Sequence, residues 1–226
     1  MIEITKIPKI IDHTNLEKDA TEEDIRKTCQ EAKEFGFRGV CVFPKWTKLV
    51  SEELKDTGIK VVILIDPPIG DSPTEKKIEE SLRVKEDGAN EIDVVMNIPL
   101  FKHEKFDQVL EDLKQITKIL PTKVIIGSGY LTDQEIAIAS RIVKDAGAFC
   151  VKTATFKDPL EHRELSEKMR HLKIMRENAP GLLVKAAGKI RTLEDAKLAI
   201  ENGADIIGTS SSLQIIEEIK SQTNLK

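Results

Sequence analysis

"AGAFCVKTATF", residues 146–156, holds a helix stop, a strand and a chemical oddity in one short stretch. A glycine ends a helix readily because it enters the left-handed conformation without penalty. The apolar run after it has strand character, yet it finishes on Lys152. Lysine is depleted in strands and almost never buried without a partner. The same entry, a glycine just before an apolar run, recurs at "FGFRGV" (35–40), "DGANEI" (87–92) and "NGADII" (202–207). The four glycines, Gly36, Gly88, Gly147 and Gly203, fall about two strand-helix units apart each time. Such repetition indicates a parallel β/α architecture.

Working outward, the short runs rich in β-branched residues are 9–14, 39–43, 60–65, 91–96, 123–127, 149–153, 182–186 and 205–209. Between them lie polar segments of helical length with apolar residues three and four apart, "EEDIRKTCQEAKEF" among them. Helix starts carry capping-box patterns at Thr21/Asp24, Ser72/Glu75, Thr132/Glu135, Thr192/Asp195 and Ser211/Gln214. Eight strands and eight helices predict an α/β fold, a closed (β/α)8 TIM barrel occupying residues 1–226 as a single domain. An open doubly wound sheet with extra helices is the alternative.

Composition narrows the function. The net charge of −4 leaves no basic surface for nucleic acid. No apolar run is long enough to span a bilayer. The charged, interrupted N-terminus does not read as a signal peptide. Cys29, Cys41 and Cys150 are an odd, scattered set that fits neither a disulfide framework nor a zinc site, and points to the reducing cytoplasm. The four histidines show no metal-ligand spacing, so no metal is expected.

In a barrel of this kind, chemistry sits at the carboxyl ends of the strands. Lys60 and Lys123 precede their apolar runs, and read as solvated strand starts. Lys152 and Lys185 come late, on adjacent strands and at the same depth. Asp12 ends the first strand and Asp93 lies within the fourth. Two lysines and two carboxylates in a barrel mouth are expensive to bury unless paired, which marks them as a candidate active site. The chemistry that needs these types is Schiff-base catalysis. A lysine attacks a carbonyl only as the free amine, against an ordinary pKa of roughly 10.4. A neighbouring cation favours the free amine, one carboxylate can move protons, and the other can hold the second lysine. "AAGKIRT" (186–192) and "GTSSS" (208–212) each lead into a helix, and offer amides to an anion such as phosphate.

The chain resembles the deoxyribose-phosphate aldolases, a family of class I aldolases, over essentially its full length. The matching stretches are "IDHTNL" (11–16), "GVCVFP" (39–44), "NEIDVVMN" (90–97), "KVIIGSGYLTDQEI" (123–136), "AFCVKTATF" (148–156), "LLVKAAGKIRT" (182–192) and "GADIIGTSS" (203–211). The resemblance implies reversible cleavage of 2-deoxyribose 5-phosphate to acetaldehyde and glyceraldehyde 3-phosphate, without metal or organic cofactor. It makes Lys152 the Schiff-base lysine, Lys185 its perturbing neighbour, Asp93 the proton shuttle and Asp12 the partner of Lys185. It assigns substrate and phosphate contacts to Thr14, Thr155, Lys157, Gly188, Lys189, Arg191, Gly208, Ser210 and Ser211, and it suggests a homo-oligomer.

The departures concentrate at the phosphate end. Phe156 and Lys189 stand where the family has glycines, and "KDPLEHRE" (157–164) replaces a glycine-rich segment. Two other readings stay open at this point: a related class I aldolase for another aldehyde or sugar, phosphorylated or not, and a non-catalytic sugar-phosphate-binding barrel. Intact Lys152, Lys185, Asp93 and Asp12 argue against the second, since a binder has no need to bury adjacent lysines.

Overall fold

Eight parallel strands close on themselves in chain order in the computed structural model, which describes residues 3–155 and 165–223. They are β1 (Ile11–Thr14), β2 (Gly39–Val42), β3 (Lys60–Ile65), β4 (Glu91–Val95), β5 (Thr122–Ile125), β6 (Cys150–Lys152), β7 (Leu183–Ala187) and β8 (Ile206–Thr209). Last pairs with first, Asp12 opposite Gly208, so the sheet has no edge. The architecture is the expected (β/α)8 barrel. Phe156, Lys157, Pro159 and His162 lie outside the described residues.

The outer layer comprises α1 (Glu22–Phe35), α2 (Thr47–Glu53), α3 (Thr74–Glu86), α4 (Ile98–Lys102), α5 (Phe106–Thr117), α6 (Asp133–Asp145), α7 (Leu165–Asn178), α8 (Leu193–Glu201) and α9 (Ser212–Thr223). The short α4 is an extra turn ahead of α5, so the described residues hold one α-helix more than the sequence reading counts. Each long helix presents an apolar stripe to the sheet; α5 buries Val109, Leu113 and Ile116, four and three residues apart. Those stripes meet the outward residues of the strands, such as Val40, Ile63, Ile92, Val124 and Val151, all fully buried. Burying each such side chain contributes about 1.5–3 kcal/mol. The apolar core is therefore the shell between sheet and helices. That leaves the barrel interior free for polar residues.

Local punctuation matches the reading with two corrections. Capping boxes form at Thr21, Thr132 and Thr192. Ser72 forms none: its hydroxyl and amide both donate to Asp66, and α3 starts beyond Pro73 without a side-chain cap. Gln214 likewise donates its amide to Glu218. Gly36 ends α1 in the left-handed region at φ 64°, where a side chain would be strained.

Candidate active site

Lys152 and Lys185 are direct register partners on β6 and β7. Alternation then sends both into the barrel. Lys152 Nζ donates to Asp93 Oδ2 at 2.8 Å, and Lys185 Nζ donates to the same oxygen at 2.8 Å. Lys185 also donates to Asp12 Oδ2 at 2.5 Å. Asp12, Asp93 and Lys185 are fully buried, and Lys152 is 4% exposed. The four residues singled out from the sequence thus form one connected cluster.

The solvated reading of Lys123 fails. Its side chain is fully buried, with Nζ 2.9 Å from Asp93 Oδ1, 2.6 Å from Glu91 Oε2 and 3.6 Å from Asp12 Oδ2. The physical reason is register. Lys123 sits directly opposite Asp93 on one side and Cys150 on the other, one residue inside the strand rather than before it. Lys60 is exposed, as expected. Arg38 and Glu91 also escaped the sequence reading. Arg38 donates to Asp12 Oδ1 at 2.8 Å and to both Glu91 oxygens at 2.7 and 2.9 Å. Both precede or open an apolar run; Glu91 shares the parity of Asp93, whereas Arg38 lies just before β2 and reaches Asp12 by the length of its side chain.

These contacts decide protonation. Burial alone would push the Asp12 carboxyl up, but Lys185, Lys123 and Arg38 overcome it and hold it well below the ordinary carboxylate range. Burial acts the same way on Asp93, where Lys123, Lys152 and Lys185 prevail. Burial works against a charged Lys185, yet Asp12 and Asp93 keep its proton on above the usual lysine range. Glycines make room for the stack: Gly39 and Gly208 both face Asp12 in register. Burial also raises the thiol pKa of Cys41 and Cys150, so neither is poised as a nucleophile.

Above the cluster opens a cavity of about 310 Å³ whose lining includes Lys152 but not Lys185. Thr14, Thr155, Gly188, Lys189, Arg191, Gly208, Ser210 and Ser211 all line it. Lys157 lies outside the described residues. Gly188 and Lys189 are consecutive left-handed residues at φ 80° and 59°, which bends the chain around the cavity wall. Lysine adopts that region at a cost of roughly 1–2 kcal/mol. Lys168 of α7, unnoticed in the sequence, also lines the cavity and donates to Ala187 O at 2.9 Å and to Gly188 O. A lysine within the buried stripe that holds Leu172 and Met175 was the available signal. Trp46 and Tyr130 are not in its lining. His13 is a packing residue, bonded to Ser212 Oγ at 3.0 Å and Glu31 Oε2 at 2.9 Å. Among the described residues no group of three or more His, Cys, Asp or Glu side chains is arranged to hold a metal ion.

An amine at the floor of an open barrel mouth, backed by a fixed cation and ionised carboxylates, suits covalent chemistry on a carbonyl carbon. Comparison with known proteins gives the class, an aldolase and hence a carbon-carbon lyase. The chain belongs to the DeoC/LacD family of aldolases, whose model matches residues 7–218. It is 40% identical over 225 residues to a deoxyribose-phosphate aldolase of Caldanaerobacter subterraneus, covering 97% of this chain and 96% of that one. It is 42% identical over 219 residues to another from Thermococcus gammatolerans, with 93% and 95% covered. Among solved structures, a tetrameric deoxyribose phosphate aldolase from Aeropyrum pernix superposes with a TM-score of 0.87 at 32% identity, over 97% of this chain and 93% of that one.

Proposed function

We propose that the protein is a Schiff-base aldolase that reversibly cleaves 2-deoxy-D-ribose 5-phosphate to acetaldehyde and D-glyceraldehyde 3-phosphate. The observation that carries the reading is the asymmetry of the two lysines. Both donate to Asp93 Oδ2, but only Lys152 lines the cavity. Lys152 is therefore the nucleophile and Lys185 the buried cation beside it. Counted formally, Asp12, Glu91 and Asp93 face Arg38, Lys123 and Lys185 one for one. A neutral Lys152 amine thus leaves no unpaired buried charge.

The steps follow from that arrangement. Lys152 Nζ adds to the C1 carbonyl of the open-chain sugar, and the carbinolamine loses water to give an iminium ion. The C3 hydroxyl gives up its proton, the C2–C3 bond breaks, and its electron pair flows toward the iminium nitrogen as an enamine. Glyceraldehyde 3-phosphate leaves. The enamine carbon is then protonated, and water releases acetaldehyde. Asp93, hydrogen-bonded to Lys152, is positioned to pass these protons directly or through water. Asp12 holds Lys185. At the far end Gly188 after β7 and Ser210 ahead of α9 line the cavity, the Ser211 amide donating to Thr209 Oγ1, while Lys189 and Arg191 bring positive charge to the phosphate.

An oligomer belongs to this reading, on the model of the tetrameric relative. So does a cytoplasmic location: three free cysteines and a charged sugar phosphate suit it. No helix among the described residues is long and apolar enough to cross a membrane. The test is borohydride reduction in the presence of acetaldehyde, followed by peptide mapping. A two-carbon adduct on Lys152, absent from Lys152→Ala, is expected. An adduct on Lys185 would reverse the assignment.

A further inference from the structure

Each of the two site carboxylates divides its oxygens between two levels of the barrel. Asp12 turns Oδ2 to Lys185 and Oδ1 to Arg38; Asp93 turns Oδ2 to Lys152 and Lys185 and Oδ1 to Lys123. Glu91 closes the lower level by holding Arg38 and Lys123 together. Barrels of this type ordinarily fill such a level with branched apolar side chains. Replacing a buried ion network by well-packed apolar residues commonly leaves stability unchanged or raises it. Stability alone therefore does not account for Lys123 and its partners.

We infer that Lys123, bridged through Glu91 to Arg38, is a positioning residue for the reaction: it occupies Asp93 Oδ1 so that a single oxygen, Oδ2, faces the reacting amine. This rests on the aldolase reading above. With Oδ1 taken from below, Asp93 cannot turn both oxygens toward Lys152 and lock it as a closed ion pair. When the Lys152 nitrogen moves to a carbonyl carbon, Lys185 still holds Oδ2 in place, and Oδ2 is the one oxygen able to carry a proton to and from the substrate. The groups facing Asp93 are Lys123 from β5, Lys152 and Cys150 from β6, Lys185 from β7, Asp12 from β1, Cys41 from β2 and, on its own strand, Glu91. Of these, Lys123 alone bonds Oδ1.

Two partial reactions separate positioning from folding. Borohydride trapping with acetaldehyde reads imine formation at Lys152. Exchange of the acetaldehyde methyl protons with deuterium oxide reads the later proton transfer through the enamine. In Lys123→Met, trapping should persist within about threefold while exchange and kcat fall tenfold or more, with KM for the sugar phosphate held within about twofold. Lys123→Met/Glu91→Gln removes one cation and one carboxylate together; it should regain the melting temperature but not the exchange rate. Trapping and exchange falling in parallel, exchange left intact, or kcat returning with the melting temperature would each overturn the inference. So would failure of both variants to fold, which would make Lys123 a folding residue. A wild-type protein that neither traps acetaldehyde nor exchanges it would instead overturn the aldolase reading, and the inference with it.

Discussion

Gly208 leaves the space that Lys185 fills: a methyl group built on Gly208 would stand 2.9 Å from Lys185 Cε. The glycine is in register with Asp12 on one neighbour and Ala187 on the other, at the level where the lysine turns toward its two carboxylates. Its role is one of volume, since Gly208 carries no left-handed φ.

Gly208→Ala should therefore act through displacement of Lys185. Overpacking of this kind costs about 1–3 kcal/mol, and the lysine must move or the strands must part. We expect a lower melting temperature together with a kcat loss of tenfold or more. A variant with wild-type kcat would mean that Lys185 tolerates being shifted.

Acid should dismantle the cluster before the apolar shell. Burial raises the Asp12 and Asp93 carboxyls, but the surrounding cations prevail and hold both below their ordinary range. Unfolded carboxylates take up protons near pH 4, roughly. The stability these two contribute is thus fully present above that pH and is lost as pH falls toward their folded values. The melting temperature should be level down to about pH 5 and fall steeply below about pH 4. A melting temperature unchanged down to about pH 3 would contradict paired, ionised carboxylates.

Lys189 is held at φ 59° on the cavity wall, a conformation glycine would adopt freely. Lys189→Gly should leave stability unchanged or slightly raised, because relief of about 1–2 kcal/mol of backbone strain equals or exceeds about 0.5–1 kcal/mol of added chain entropy. Charge-based contacts weaken with salt. The KM for deoxyribose 5-phosphate should accordingly rise with ionic strength in the wild type and rise less in the variant. Equal efficiency on deoxyribose and its 5-phosphate would show that the far end of the cavity does not read phosphate at all.

The strands, the barrel and the Lys152–Lys185 pair were legible because period and position carry them. Apolar runs of strand length alternate with helical stripes, and late-strand lysines stand out against them. Lys123 was hidden by a boundary. Read as the residue before an apolar run, it looks solvated; read as the neighbour of Asp93 across β4 and β5, it must be buried. Cross-strand register is a property of the closed sheet, and no local window contains it. Glu91 was missed for the same reason, and Arg38 because it reaches Asp12 from outside the paired residues of β2. Lys168 was missed because a long helical lysine usually reaches water, whereas here it turns toward the carbonyls of Ala187 and Gly188 at the end of β7.

The pairing of Asp12 with Lys185 joins positions 173 residues apart, across the seam where β1 meets β8. Its consequence concerns the order of assembly. A chain emerging from the ribosome carries Asp12 and Asp93 long before β7 supplies the lysine that both require. Until then Asp12 has Arg38, and Asp93 has Lys123 and Lys152, but neither has its contact with β7, so a partial barrel holds an incomplete site. The last quarter of the sequence, in making the site whole, also closes the sheet onto its first strand.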